Sequence, residues 1–393
     1  MPRARENVFR MAAAIRLGRL ALAGLLAAGL GLAPARGQAA VDLKEQLVNV
    51  PVTVKSMYDG SQTHDMFITV FRPQGPGPFP LAVISHGRAV SREERAEPQH
   101  QRMESAARFL VRKGFVVLVP TRIGYGATGQ SFDPEDSGPA KHPDYQVTLD
   151  AAVTQILAAV DYGRHLDGVD ANRIVLVGQS VGGFSTVGAA AKNPPGLVAA
   201  INFAGGDGGD PVKHPGVPNG SGQLLDLYRA LGRQCKVPML WVYTENDRYF
   251  APDYSKAWAK AYADAGATVD YRLLPAFEDN GHRLFEHGCD LWMPLVDEFL
   301  QKSGFAAPGL IPRPRPTGFA ALDQVDKVPQ AKARNGYRKF LEAPLPRAFA
   351  LSSDGHWGFA HGDDALSRAL AFCRGNGGAE DARLYAVDND VVW

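Results

Sequence analysis

The 393-residue chain is 45% hydrophobic and 21% charged, enough apolar material for a large core and too much for a disordered chain. Its 42 basic and 41 acidic residues leave a formal charge of +1, which excludes the basic field that a nucleic-acid backbone requires. Three cysteines, none in a C-x-x-C spacing, exclude a disulfide-built scaffold and a cysteine-ligated zinc site.

At the N-terminus, Arg3, Arg5, Arg10, Arg16 and Arg19 precede the apolar run Leu20 to Leu32. That is the layout of a signal peptide, and the run is too short for the roughly 20 residues of a membrane-spanning helix. Small residues in Ala33-Pro34-Ala35 and Gly37-Gln38-Ala39 suit cleavage near Ala35 or Ala39. Residues 1–39 are therefore expected to leave, taking six arginines and Glu6 and turning the net charge to about −4, with an uncleaved N-terminal anchor as the alternative. The mature chain is expected in the periplasm or outside the cell, with no stable membrane span.

Pro51 to Met57 and Met66 to Arg72 read as extended runs around the turn signal Asp59-Gly60, an antiparallel hairpin. Six mostly unbroken apolar stretches follow: Leu81 to Ile84, Phe115 to Val119, Arg173 to Val177, Val198 to Phe203, Met239 to Tyr243 and Thr268 to Leu274. Such runs belong to strands covered on both faces of a parallel sheet. Helical patterns fall between and after them at Gln99 to Arg112, Val147 to Tyr162, Val181 to Lys192, Gly222 to Gln234, Asp253 to Ala265 and Asp290 to Lys302. The order predicts an α/β domain over residues 40–303, a mostly parallel sheet with helices on both faces. Residues 304–318, with Pro312-Arg313-Pro314-Arg315-Pro316, read as a proline-rich linker. The remaining residues 319–393 predict a small α+β module with runs at Ala348 to Leu351 and Arg383 to Val387 around a helix from Asp364 to Cys373.

Gly178-Gln179-Ser180-Val181-Gly182-Gly183 stands directly after one predicted strand and directly before a helix. A serine on such a tight turn points out of the sheet, and the glycines permit the backbone crowding around it. Ser180 is the candidate nucleophile. It needs an imidazole to take its proton and a carboxylate to orient the imidazole. After the strand Met239 to Tyr243, Asp247 is the preferred acid and Glu245 the alternative; after the last strand, His282 in Asn280-Gly281-His282 is the preferred base and His287 its rival. Ile84-Ser85-His86-Gly87-Arg88 ends the first buried strand. The backbone N–H groups of Val181 and Arg88, with Gly87 as the alternative, are the expected oxyanion donors, and His86 is expected to shape the loop. No metal or organic cofactor is required.

Ser85-His86-Gly87, Gly178-Gln179-Ser180-Val181-Gly182-Gly183, Asn246-Asp247-Arg248 and Asn280-Gly281-His282, in this order, resemble the α/β-hydrolase superfamily, in particular its dienelactone-hydrolase-like and prolyl-oligopeptidase-like branches. The resemblance spans about Val52 to Lys302 and implies an α/β-hydrolase fold with serine-dependent hydrolysis of an ester, lactone or amide by Ser180, Asp247 and His282. Dienelactone hydrolases proper use a cysteine nucleophile, so the serine favours a general carboxylesterase. Arg122-Ile123-Gly124-Tyr125-Gly126 is similar to a segment bordering the active-site mouth in these families, which makes Tyr125, with Gln179, a candidate substrate contact. The terminal segment resembles a small domain appended to exported bacterial proteins, in which a cysteine precedes the Leu-Tyr-Ala-Val run where this chain has Ala382.

Three further stretches are read as follows. The run Ser91 to Arg95 after Arg88 reads as a solvated charged face, with contact to a charged substrate as the alternative. Gly205 to Asp210, continuing to Gly222, is a flexible cover over the site. Cys235 and Cys289 are expected near opposite ends of the sheet and unbridged. The expected partner is a small-molecule ester, with a peptidase of the oligopeptidase-like branch as one alternative. The other is a non-enzymatic binding protein on the same fold, whose C-terminal module is the candidate contact with an envelope component.

Overall fold

The computed structural model describes residues 43–128, 132–305, 314–362, 364–378 and 380–393. The signal-peptide segment 1–39 lies outside them, as do residues 306–313 of the expected linker.

Among the described residues, eight strands form one sheet in the order β1-β2-β4-β3-β5-β6-β7-β8. The first two, β1 (Gln46–Ser56) and β2 (Gly60–Phe71), make the expected hairpin, and β2 pairs antiparallel with β4 (Val116–Thr121). The remaining pairs, through β3 (Phe79–Ser85), β5 (Val169–Gln179), β6 (Leu197–Phe203), β7 (Met239–Thr244) and β8 (Val269–Leu274), are all parallel. Both faces of the central strands are buried, which is why they read as continuous apolar runs rather than alternating ones. This is the predicted α/β-hydrolase architecture, and its parallel strands deliver their C-terminal ends, with Ser85, Gln179 and Thr244, to one rim.

Helix α1 (Glu104–Arg112) begins later than the sequence pattern suggests. Residues 99–103 are held out of the helix because Thr69 Oγ1 donates to the Gln101 carbonyl (2.7 Å) and Thr121 Oγ1 accepts from the Gln101 N–H (2.7 Å). The other helices fall within a few residues of expectation: α2 (Tyr145–Arg164), α3 (Val181–Ala191), α4 (Ser221–Gly232), α5 (Pro252–Asp264) and α6 (Cys289–Lys302).

A separate antiparallel sheet lies at the C-terminus, in the order β10-β9-β11-β12, from β9 (Arg347–Leu351), β10 (Trp357–His361), β11 (Arg383–Val387) and β12 (Asp390–Val391). Period-two alternation in β9 sends Ala348 and Ala350 toward helix α8 (Ala365–Gly375), and Phe349 and Leu351 toward helix α7 (Arg334–Glu342). Helix α7 carries no run that the sequence reading singled out; Tyr337 and Phe340 are its inward face. Trp357 stacks on Phe349 (5.9 Å between centroids), whereas His356 is exposed. Cys235, Cys289 and Cys373 are buried free thiols, and Arg112 forms an ion pair with Asp364 that ties the small sheet to α1.

Strand β7, which leads into the Asp247 loop, is anchored by Trp241. Its ring is fully buried, with the Tyr228 and Tyr262 ring centroids 5.0 Å away. Trp241→Ala is expected to cost about 3–5 kcal/mol in urea unfolding; a loss below about 1 kcal/mol would mean that these rings close over the vacated space.

Candidate active site

Ser180 sits between β5 and α3 at φ 59°, ψ −127°, a backbone conformation that side chains other than glycine adopt only under strain. The strain is held in place by close backbone contacts. A Cβ on Gly178 would lie 2.1 Å from the Gly182 carbonyl oxygen, and one on Gly182 would lie 2.2 Å from the Ser85 carbonyl oxygen. The Ser180 N–H donates to the Phe203 carbonyl (2.9 Å), and the Ser180 carbonyl accepts from Phe184 (3.0 Å). Its hydroxyl makes no hydrogen bond among the described residues, and Ser180 and His282 border the same cavity of about 440 Å³.

Asp247 and His282 are brought together from loops after neighbouring strands. His282 Nδ1 lies 3.0 Å from Asp247 Oδ2 and 3.1 Å from Oδ1. Asp247 Oδ1 also accepts from the Tyr249 and Phe250 N–H groups (2.7 and 3.0 Å), which fixes the carboxylate. The imidazole stacks on Tyr249, with centroids 4.1 Å apart, and meets Phe250 edge-on at 5.5 Å. Side-chain amides lace the two loops. Asn280 Oδ1 accepts from the Arg248 and His282 N–H groups (3.1 and 3.2 Å), and Asn246 bonds the backbone at Phe277 and Glu278. The alternatives point elsewhere: Glu245 and His287 are exposed, and His287 faces Glu278 at 3.5 Å.

The loop after β3 closes the site from the other side. Gly87 approaches so near that a Cβ there would stand 3.1 Å from the Ser180 Cβ. The Val181 and Arg88 amides flank this contact, and neither donates a hydrogen bond among the described residues. His86 is buried beneath them, its Nδ1 donating to the Gly87 carbonyl (2.7 Å) and its Nε2 accepting from the Arg122 N–H (3.1 Å). Burial, and then the Arg122 charge, hold its pKa well below the ordinary imidazole value, so it stays neutral and shapes the loop.

The sequence reading missed what holds this loop. The Arg122 guanidinium is fully buried and donates to Glu135 Oε1 (2.6 Å), to Ser85 Oγ (2.8 Å) and to the His86 carbonyl (2.6 Å). Tyr125 Oη donates to Glu135 Oε2 (2.6 Å) and accepts from Arg88 (3.2 Å), so Tyr125 borders the cavity with its hydroxyl already spent. The Arg88 guanidinium is likewise spent on Asp133 (2.6 and 3.0 Å). Arg95 joins the same carboxylate at 3.2 Å and borders the cavity with Glu94, so the run from Ser91 to Arg95 is solvated only in part. Gln179 borders the cavity too, donating to the His282 carbonyl at 3.4 Å.

The glycine-rich stretch after β6 is packed wall rather than loose cover. Gly206 lies against the Phe250 ring, Gly208 against the Tyr145 hydroxyl, and the Asn219 N–H donates to the Gly208 carbonyl (2.9 Å). Between them Asp207 is buried, and burial pushes its carboxyl up to about 6. Among the described residues, no group of three or more His, Cys, Asp or Glu side chains could hold a metal ion.

Two stability measurements follow. Arg122→Met leaves Glu135 buried without its cation and is expected to cost about 3–5 kcal/mol, part of which returns in Arg122→Met/Glu135→Met. A double variant no more stable than the single one would show that the charge pair itself supports the fold. Asp207 keeps its proton in the folded chain over about pH 4 to 6, where the unfolded chain has released it, so stability falls as pH rises through that window. The loss is up to about 3 kcal/mol, and Asp207→Asn removes it. Urea midpoints of the two proteins should therefore diverge from pH 4 to pH 7; a constant gap contradicts this assignment.

Residues 96–290 match the dienelactone hydrolase family. Among solved structures, Est1E from Butyrivibrio proteoclasticus is similar at 21% identity and a TM-score of 0.42, over 66% of this chain and 99% of that one. The esterase Pf2001 of Pyrococcus furiosus is similar at 14% identity and 0.45, over 67% and 92%. The acylaminoacyl peptidase of Pyrococcus horikoshii is similar at 16% and 0.44, over 69% of this chain and 44% of that one. No curated protein matches the chain. Ser180, Asp247 and His282 all fall within this matched segment, a dienelactone hydrolase domain by its family match, which spans just under half of the chain.

Proposed function

We propose that this hydrolase is an exported serine carboxylesterase. Ser180 Oγ attacks the ester carbonyl while His282 takes its proton, and Asp247 holds the imidazole in the required tautomer. The Val181 and Arg88 amides receive the oxyanion, His282 returns the proton to the leaving alcohol, and water repeats the cycle on the acyl-enzyme. The observation that carries the reading is the imidazole held on the Asp247 carboxylate at 3.0 Å at the edge of the cavity that Ser180 also borders, with two uncommitted amides beside the hydroxyl.

The reading divides the chain into a signal peptide (1–39), a hydrolase domain (40–303), a linker (304–318) and a terminal module (319–393). Export rests on the N-terminal sequence pattern; among the described residues, no helix is long and apolar enough to cross a membrane.

A fluorophosphonate probe is expected to label the native protein and not Ser180→Ala, whose kcat on a short-chain aryl ester falls by at least about 10⁴-fold. Labelling that persists in Ser180→Ala would remove the serine from its role. Faster turnover of an aminoacyl anilide than of the ester would move the assignment to a peptidase, and no labelling or turnover would leave a binding protein.

A further inference from the structure

Two chambers meet at Ser180. One, of about 440 Å³, contains His282; the other, of about 430 Å³, is bordered by Val181, Asp207, Tyr145 and Phe250 and lacks the histidine. If Ser180 acts as proposed above, on which this inference rests, the leaving oxygen must reach the imidazole for its proton. The alcohol part of the ester therefore belongs in the first chamber, and the acyl part in the second.

Asp207 stands beside the nucleophile in that second chamber, since the N–H of the preceding residue, Gly206, donates to the Ser180 carbonyl at 3.3 Å. One of its carboxylate oxygens, Oδ1, accepts from the Gly208 N–H (2.7 Å). The other, Oδ2, is buried and has no hydrogen-bond partner. Of the neighbouring hydroxyls, Tyr145 donates to the Asn219 carbonyl (2.8 Å) and Thr148 to the Glu135 carbonyl (3.1 Å), although Thr148 also stands close enough to Asp207 to lower its carboxyl. A buried carboxylate oxygen left without a donor is costly to keep, and a donor arriving with the substrate removes that cost.

We propose that Asp207 Oδ2 accepts a hydrogen bond from a hydroxyl group on the acyl part of the substrate, so that the second chamber is a hydroxyacyl subsite. Arg88, Arg95 and Lys213 border this chamber against Asp136 and Asp210, and the Arg88 charge acts on Asp207 directly, so a neutral donor is favoured over an ammonium group. A site with a buried acceptor rejects the analogue lacking the donor far more strongly than an apolar pocket rejects a missing methylene.

The test compares methyl esters of 3-hydroxybutanoic and 6-hydroxyhexanoic acids with the butanoate and hexanoate, and with the corresponding amino acids, by pH-stat titration. The native protein is expected to favour at least one hydroxylated ester over its plain partner by about 10-fold or more in kcat/KM. That ratio should collapse toward one in Asp207→Ala and in the isosteric Asp207→Asn. Equal turnover of hydroxylated and plain esters at both lengths overturns the subsite, as does a preference that survives in folded Asp207→Asn or a preference for the amino esters. Failure of the native protein to hydrolyse any of these esters overturns the esterase reading itself, whereas Ser180-dependent but indifferent hydrolysis overturns the subsite alone.

Discussion

Backbone pressed against backbone at the rim of the sheet is the contact from which the site is built. The start of α3 runs so close to the end of β3 that Gly182 touches the Ser85 and His86 carbonyls, and Gly178 touches Gly182 from below. A methyl group at either glycine would push the elbow off the strand, relaxing the φ of 59° that aims Ser180 outward. The same proximity brings Gly87 against Ser180, next to the Val181 and Arg88 amides, which donate no hydrogen bond among the described residues. One packing arrangement thus sets both the strained elbow and the place of the amides to which the proposed function gives the oxyanion.

Buried charge around this contact is treated in two opposite ways. Glu135 is surrounded by donors from Arg122 and Tyr125, and Asp133 by donors from Arg88 and Arg95. Burial works to raise the Asp133 carboxyl, yet the bond and charge of Arg88 bring it below the ordinary carboxylate value, the mark of a structural anion. Asp207 receives one backbone N–H, and burial prevails. Carboxylates in one neighbourhood that are satisfied in one case and left short in another serve different ends: the first kind fixes the wall, and the second is a group waiting for a partner.

The readable part of this protein was the part encoded locally. The elbow announces itself in six consecutive residues, and the strands in unbroken apolar runs, because each depends on near neighbours. The Asp247 and His282 loops could be placed by their position after strands, although the Asn246 and Asn280 side chains that brace them give no separate signal. Arg122 and Glu135 were invisible as a pair. Thirteen positions apart, on segments without regular periodicity, they look like ordinary surface charges until the chain folds both to zero exposure. The late start of α1 has a similar origin, since Thr69 and Thr121 claim the Gln101 backbone from strands 32 and 20 positions away. The glycines after β6 were misread for the converse reason: glycine permits mobility in isolation and tight packing in company, and Phe250, Tyr249 and Tyr145 provide the company.

The small C-terminal sheet bears on the site through its placement. Its loops at Leu345, Pro346 and Asn389 form one wall of a cleft whose opposite wall includes Glu278, Glu286 and His287. Glu286 also borders the chamber that holds His282. One short helix, Leu284–His287, therefore has the chamber bordered by His282 on one side and the terminal module on the other, and it begins two residues after His282. Leu284 and Phe285 bury its inner side in the core, Phe285 packing on Trp292 and Phe203. Its inner side is thus fixed by the core while its outer side meets the module, which the Arg112–Asp364 ion pair also joins to α1.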